Sequence, residues 1–242
     1  MTPGVQEEDM TQSAITYEPV IPGIQIRPLL RRVYLWMTFG VLVTTIVALM
    51  TVTTPVLQSL LFTPWVWAAL IGELVLVVVL SAAINKLSPT AAGMLFIGYA
   101  ALVGFTTSAI FFVYTLSNIS VAFLSATALF GTMTFVGFVT RADLTKLGTY
   151  LLVGLIGLIV AMVLNLFLRS STLDLVVSLV GVVIFTGLTA YDTQKISRLA
   201  ADPKLQEQGA MLGRLSILGA LTLYLDFLNL FLLLLRLMGR RR

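Results

Sequence analysis

Neither cysteine nor histidine occurs in the 242-residue chain. Without cysteine there are no disulfides and no thiolate metal sites. Without histidine, the commonest metal ligand is missing, and so is the side chain that titrates most readily near neutrality. Any response to pH must therefore come from carboxyl groups. Charge is scarce too: 11% of residues are Asp, Glu, Lys or Arg, where a soluble domain carries about a quarter. The chain is 58% hydrophobic with a mean hydropathy of +1.01. That balance points away from a soluble domain and toward an integral membrane protein whose first partner is the lipid bilayer. The length leaves room for about seven spans. Phosphate loops, nucleophile elbows and HExxH zinc motifs are also missing, so neither an enzyme nor a bound cofactor is expected. The formal net charge of +4 comes from Lys and Arg at loop edges, which suits membrane topology and not nucleic acid.

Residues 1–26 are polar, rich in Pro, Thr and Glu, and carry Glu7, Glu8 and Asp9. A secretory signal would need a basic start and an apolar core, so the expectation is a flexible cytoplasmic tail ahead of a single membrane domain over 27–242. The spans read as Val33–Val52, Trp65–Ile84, Ser88–Tyr114, Val121–Val139, Gly148–Leu168, Leu173–Ile196 and Leu215–Met238. A short uncharged loop containing Pro55 and Pro64 is expected, and another from Ser117 to Ser120. Gly93, Gly98 and Gly104 on the third span are expected to let neighbouring helices approach closely.

With seven spans, ten of the fifteen Lys and Arg residues fall on the N-terminal side of the membrane. Basic residues mark the cytoplasm, so the N-terminus is placed inside, in what the short tail and loops suggest is a bacterial inner membrane. The C-terminal arginines then break the rule, and a re-entrant last segment would repair it. Against that, the last segment is 24 nearly unbroken apolar residues. As a helix it is roughly 36 Å long, enough for about 30 Å of hydrocarbon.

Three carboxylates fall inside spans: Glu73, Asp192 and Asp226. Lys86, Lys195 and Arg236 all sit near span ends, where they can snorkel outward. A buried acid without a cation is protonated, bonded to a second acid, or waiting for a mobile cation. Glu73 could equally be a structural hydrogen-bonding acid, and Asp192 an interfacial residue. For Asp226 the surroundings speak more clearly. Gly219, Thr222 and Asn229 lie seven before, four before and three after it, so the small and polar residues share one helical stripe. Spacing alone leaves contact between Asp192 and Asp226 open.

The segments Gly187-Leu-Thr-Ala-Tyr-Asp-Thr-Gln-Lys-Ile196 and Leu223-Tyr-Leu-Asp-Phe-Leu-Asn-Leu-Phe231 resemble the signature of the Bax-inhibitor family. So do Glu73, Ala83-Ile-Asn-Lys-Leu-Ser-Pro89 and Ser108-Ala-Ile-Phe-Phe-Val-Tyr-Thr115. The resemblance implies an all-α membrane fold in which six helices wrap around the C-terminal one. It also implies a pH-sensitive calcium leak, with Ca²⁺ as the permeant ion and an aspartate pair sharing a proton between the last two helices. By motif, that pair falls on Asp192 and Asp226, which would also be the metal-contacting groups, and the second-helix acid falls on Glu73. A basic latch on one aspartate would fall on Lys86, slightly too far along its helix. Two other functions stay open: a proton-coupled cation exchanger, and an interaction protein that modulates a membrane protease or a stress or cell-death pathway.

Overall fold

The computed structural model describes residues 28–202 and 209–239. The expected tail at 1–26, residues 203–208 of the linker and the arginines at 240–242 lie outside the described residues. Those described fold into helices α1 (Pro28–Thr53), α2 (Pro55–Leu61), α3 (Trp65–Ala83), α4 (Pro89–Thr107), α5 (Ile110–Val113), α6 (Leu116–Val139), α7 (Thr145–Leu168), α8 (Ser171–Ala200) and α9 (Gly209–Met238). Seven stretches are long and apolar enough to cross a membrane, α4 and α5 together forming one of them.

Local chemistry explains most boundaries. Ser88 and Thr115 cap α4 and α6 by accepting from the Ala91 and Asn118 amides, the usual role of a hydroxyl at a helix start. The Thr115 cap draws Ser117 to Ser120 into α6, in place of the expected loop. Pro55 sits in the first turn of α2, where its missing N–H costs nothing, and so the expected loop there is a short helix. The third span is interrupted where Thr107 and Ser108 turn their hydroxyls back onto the Val103 and Phe105 carbonyls. Such bonds compete with the helical ladder. Arg169 closes α7 in the left-handed region, at φ 49°.

α9 runs unbroken for 30 residues, with no reversal of the kind a re-entrant hairpin needs. It is also the most enclosed helix. Of its most apolar window 67% is buried, against 6% for α3 and for α7. α1, α4, α6 and α8 pack directly on it, whereas α3 lies mainly against α4 and α7 against α8. The expected ring of six is thus four inner helices and two outer ones. Lipid-facing leucines and valines on α3 and α7 stay exposed, which is favourable in hydrocarbon and not in water.

Close crossings need glycine at particular places. A Cβ on Gly104 would meet the Thr44 carbonyl oxygen at 2.6 Å, and one on Gly93 would meet the Trp36 ring at 2.9 Å. Gly98 differs from the expectation: nothing lies within 4 Å of the position its Cβ would take. At the end of α8, Gln194 donates to the Ala142 carbonyl and accepts from the Leu144 amide, at 2.8 and 3.0 Å. Arg198 donates to Asp143 at 2.8 Å. The α6–α7 turn is therefore stitched to α8.

Gly104→Ala should lower the thermal unfolding midpoint in detergent, by overpacking worth about 1–3 kcal/mol. Gly98→Ala should leave it unchanged or raise it, since alanine is the better helix former by about 1 kcal/mol. Hydrogen bonds from Thr145 and Arg198 hold the exposed Asp143 carboxyl down at about 2. A depressed carboxyl contributes its stability fully above the ordinary carboxylate range and loses it only as pH falls through the lowered value. Asp143→Asn should therefore leave the shape of the melting-temperature profile unchanged between about pH 5 and 8.

Candidate functional site

The polar stripe of α9 faces α8, α7, α3 and α4 across a cavity of about 470 Å³. Thr222, Asp226 and Asn229 all line it, and Asp192 enters from α8. Asp226 is 4% exposed and Asp192 is half-buried. Their carboxyls are side-chain neighbours that line one cavity and act on each other electrostatically. Asp226 Oδ2 has no hydrogen-bond partner among the described residues. The Thr222 hydroxyl and one N–H of the Asn229 amide donate within α9, to the Leu218 and Leu225 carbonyls at 3.1 and 2.8 Å. The hydroxyl and amide oxygens that remain are acceptors facing the same space as the acids. Leucines, Ile159, Met162 and Phe185 form the other walls.

A smaller cavity of about 70 Å³ lies toward the end of α8 and shares Asp192 and Thr222 with the larger one. Gly219 and Lys195 line it. The two aspartate-lined spaces thus meet at Asp192 and Thr222. Gly219 allows α1 to come near, since its Cβ would lie 3.0 Å from Val33 Cγ2.

Lys195, one turn beyond Asp192, acts on it electrostatically and stands 5.9 Å from the Tyr191 ring centroid. Its charge reaches Asp192, but Lys195 is exposed and makes no ion pair with it. Lys86 is exposed in the turn after α3 and lines neither cavity. The cation whose charge reaches Asp192 lies on its own helix, three residues away in sequence. Glu73 stands apart from the pair. It accepts from Thr106 at 2.6 Å, while its neighbours Leu74 and Val77 line the large cavity. Arg236, expected to reach outward, instead pairs with Asp174 at 3.3 Å.

Two contributors carry no signal in the sequence pattern. Tyr99 lines the cavity from α4 and packs edge-on to Tyr224, with ring centroids 5.9 Å apart. Tyr224, next to the acidic stripe, bonds through its hydroxyl to Thr44 of α1. Aromatic residues in spans usually pack or anchor, so only their hydroxyls in a hydrophobic crossing could mark them. Among the described residues no group of three or more acids is placed to hold a metal ion. Two carboxyls with nearby hydroxyl and amide oxygens can meet a hard cation in passing, but they fall short of the six to eight oxygens of a stable Ca²⁺ cage.

Residues 26–242 match the family described as "Inhibitor of apoptosis-promoting Bax1". The inner membrane protein YbhL of Escherichia coli K12 is 44% identical over 225 residues, covering 92% of this chain and 96% of that protein. An uncharacterized protein of Borreliella burgdorferi is 41% identical over 88% of this chain and 92% of its own length. An uncharacterized membrane protein of Streptococcus pyogenes serotype M3 is 42% identical over 72% of this chain and 74% of its own. With seven apolar helices around an acidic stripe and a match that runs the length of the membrane domain, the chain belongs to the Bax-inhibitor family of integral membrane proteins.

Proposed function

We propose that the protein is a calcium-permeable leak whose opening follows the proton count on Asp192 and Asp226. The observation that carries the reading is the pair of neighbouring carboxyls, on α8 and α9, that line one cavity inside an otherwise apolar bundle. Two carboxyls this close in a low dielectric cannot both ionise cheaply, so they share a proton and titrate as a unit. With the proton in place, α8 is tied to the central α9. A change in proton count changes that tie and the width of the space between the helices.

The oxygen donors around the pair suit a hard cation such as Ca²⁺ better than a soft one. Their small number favours passage over storage. Lys195 lines the smaller cavity and sets a positive charge on the α8 side of Asp192. No enzymatic step is assigned to the site. The excess of Lys and Arg at the ends of the bundle that hold the start of α1 and the α8–α9 connection supports a cytoplasmic N-terminus. The inner-membrane relative supports a bacterial inner membrane as the location.

Reconstitution into vesicles loaded with a Ca²⁺ indicator tests the reading. Wild-type flux should vary with pH with a steepness of about one proton, near tenfold per pH unit on the steep limb. Asp192→Asn and Asp226→Asn should each flatten that profile, while Asp143→Asn leaves it as in wild type. A profile unchanged in both dyad variants removes the pair from the mechanism. Saturable counter-transport of protons and Ca²⁺, in place of passive dissipation, would replace the leak with an exchanger.

A further inference from the structure

A third cavity, of about 210 Å³, lies on the other side of α9 and nearer the end that carries Arg169. Its walls are Phe111, Phe123, Phe227 and Phe231 together with aliphatic side chains, but Thr44, Thr45, Thr107 and Ser120 add four hydroxyls. Along α9 the three spaces follow in order. The small one lies against Leu215 to Thr222, the middle one against Thr222 to Asn229, and the third against Phe227 to Phe231.

The first two share Asp192 and Thr222 directly. Between the second and third stands a chain of three side chains. Tyr99 lines the middle cavity, Tyr224 packs edge-on against it, and the Tyr224 hydroxyl meets Thr44 Oγ1 at 2.5 Å. Thr44 lines the third cavity. The direction of the hydrogen bonds follows from counting protons. Thr44 Oγ1 has one hydrogen and donates it to the Ala100 carbonyl at 2.9 Å, so Tyr224 must be the donor to Thr44. Three helices, α9, α1 and α4, are thereby joined at one point. Tyr224 is fully buried, and Phe96 packs on its other edge at 5.6 Å between centroids.

Simple structural clamping does not require this arrangement. The α1–α4 crossing is already tight at Gly104 against the Thr44 backbone, and Gly40 sits under Phe96. What the hydroxyl pair adds is a polar contact between Thr44, which lines the third cavity, and a ring packed on Tyr99, which lines the aspartate cavity. Once that bond breaks, only ring packing against Phe96 and Tyr99 holds Tyr224 in place.

We propose that the Tyr224–Thr44 hydroxyl pair is a second gate, in series with the aspartate pair, and that a cation crossing the bundle passes from the aspartate cavity to the threonine-lined one by displacing it. The proposal rests on the leak reading for the identity of the cation, but not for the route. Opening requires loss of the Tyr224 to Thr44 bond. The displaced Tyr224 hydroxyl and the Thr44 oxygen then offer ligands to the passing ion, which replace part of its hydration shell.

The chain has no cysteine, so single cysteines report on accessibility without background. Thr107→Cys places a thiol in the third cavity and Leu225→Cys places one in the aspartate cavity. A small methanethiosulfonate ammonium reagent is applied to the Arg169 face of reconstituted protein, with a thiol scavenger on the other face. Thr107→Cys should react from the Arg169 face. Leu225→Cys should react slowly from that face, and about tenfold faster when combined with Tyr224→Phe or Thr44→Val, each of which removes one hydrogen bond. Tyr224→Phe keeps the ring and its packing, and Thr44→Val keeps the branched shape, so the two changes break the same bond from opposite sides.

Equal Leu225→Cys rates in all three backgrounds would overturn the gate, and so would a Thr107→Cys that reacts only from the Lys195 face. Ca²⁺ flux is measured on the same vesicles and should rise about tenfold in Tyr224→Phe, by the same loss of one bond. If wild-type vesicles pass no Ca²⁺ while the cysteine rates change as described, the calcium reading falls and the gate stands.

Discussion

A carboxyl group at mid-membrane depth must face protein, and the architecture of this molecule follows from that requirement at Asp226. Unpaired in hydrocarbon, such a group would cost several kcal/mol. α9 meets the constraint by gathering Thr222, Asp226 and Asn229 on one side and giving the rest of its surface to leucine and phenylalanine. That side can only be covered by other helices. The last helix consequently becomes the centre of the bundle, with α1, α4, α6 and α8 against it. α3 and α7 bear no comparable burden and remain largely in contact with lipid.

Packing in a bilayer gains little from hydrophobicity, because lipid tails are as apolar as leucine. Close approach and internal hydrogen bonds have to do more. Gly104 and Gly93 allow α1 and α4 to touch, and Thr44, Ala100 and Tyr224 join α1, α4 and α9 by hydroxyl bonds. The same devices that hold the helices also divide the interior into separate spaces. Two polar contacts lie beside these spaces: Asp192 next to Asp226, and Tyr224 on Thr44. Polar contacts are the interactions in such a bundle that a proton or a cation can compete for, whereas leucine packing is indifferent to either.

Several placements are legible in the order of residues alone. The seven apolar runs are forced by the thickness of hydrocarbon, so their number and order can be counted, and Trp65 as the start of α3 needs only the pattern. The stripe around Asp226 follows from helical periodicity, and its three polar members do share one cavity. Other features cannot be read this way. Gly98 has the spacing of a packing glycine yet faces open space, because periodicity says which residues share a face and not which face meets a helix. Lys86 stands near the end of α3 in sequence yet lines neither aspartate cavity, and the cation whose charge reaches Asp192 is Lys195, one turn along α8. The pairing of Arg236 with Asp174, 62 residues apart, has no local signal at all.

Sequence alone therefore determined the elements: helices of membrane length, the acids within them, and the polar side of the last one. These depend on covalent order and on the fixed rise and twist of a helix. Which helices touch α9, that Asp192 and Asp226 are neighbours, and that a tyrosine hydroxyl meets Thr44 emerge only in the assembled bundle. Those contacts depend on crossing angles and relative heights, set by the mutual fit of all the helices at once, and no single segment carries that information.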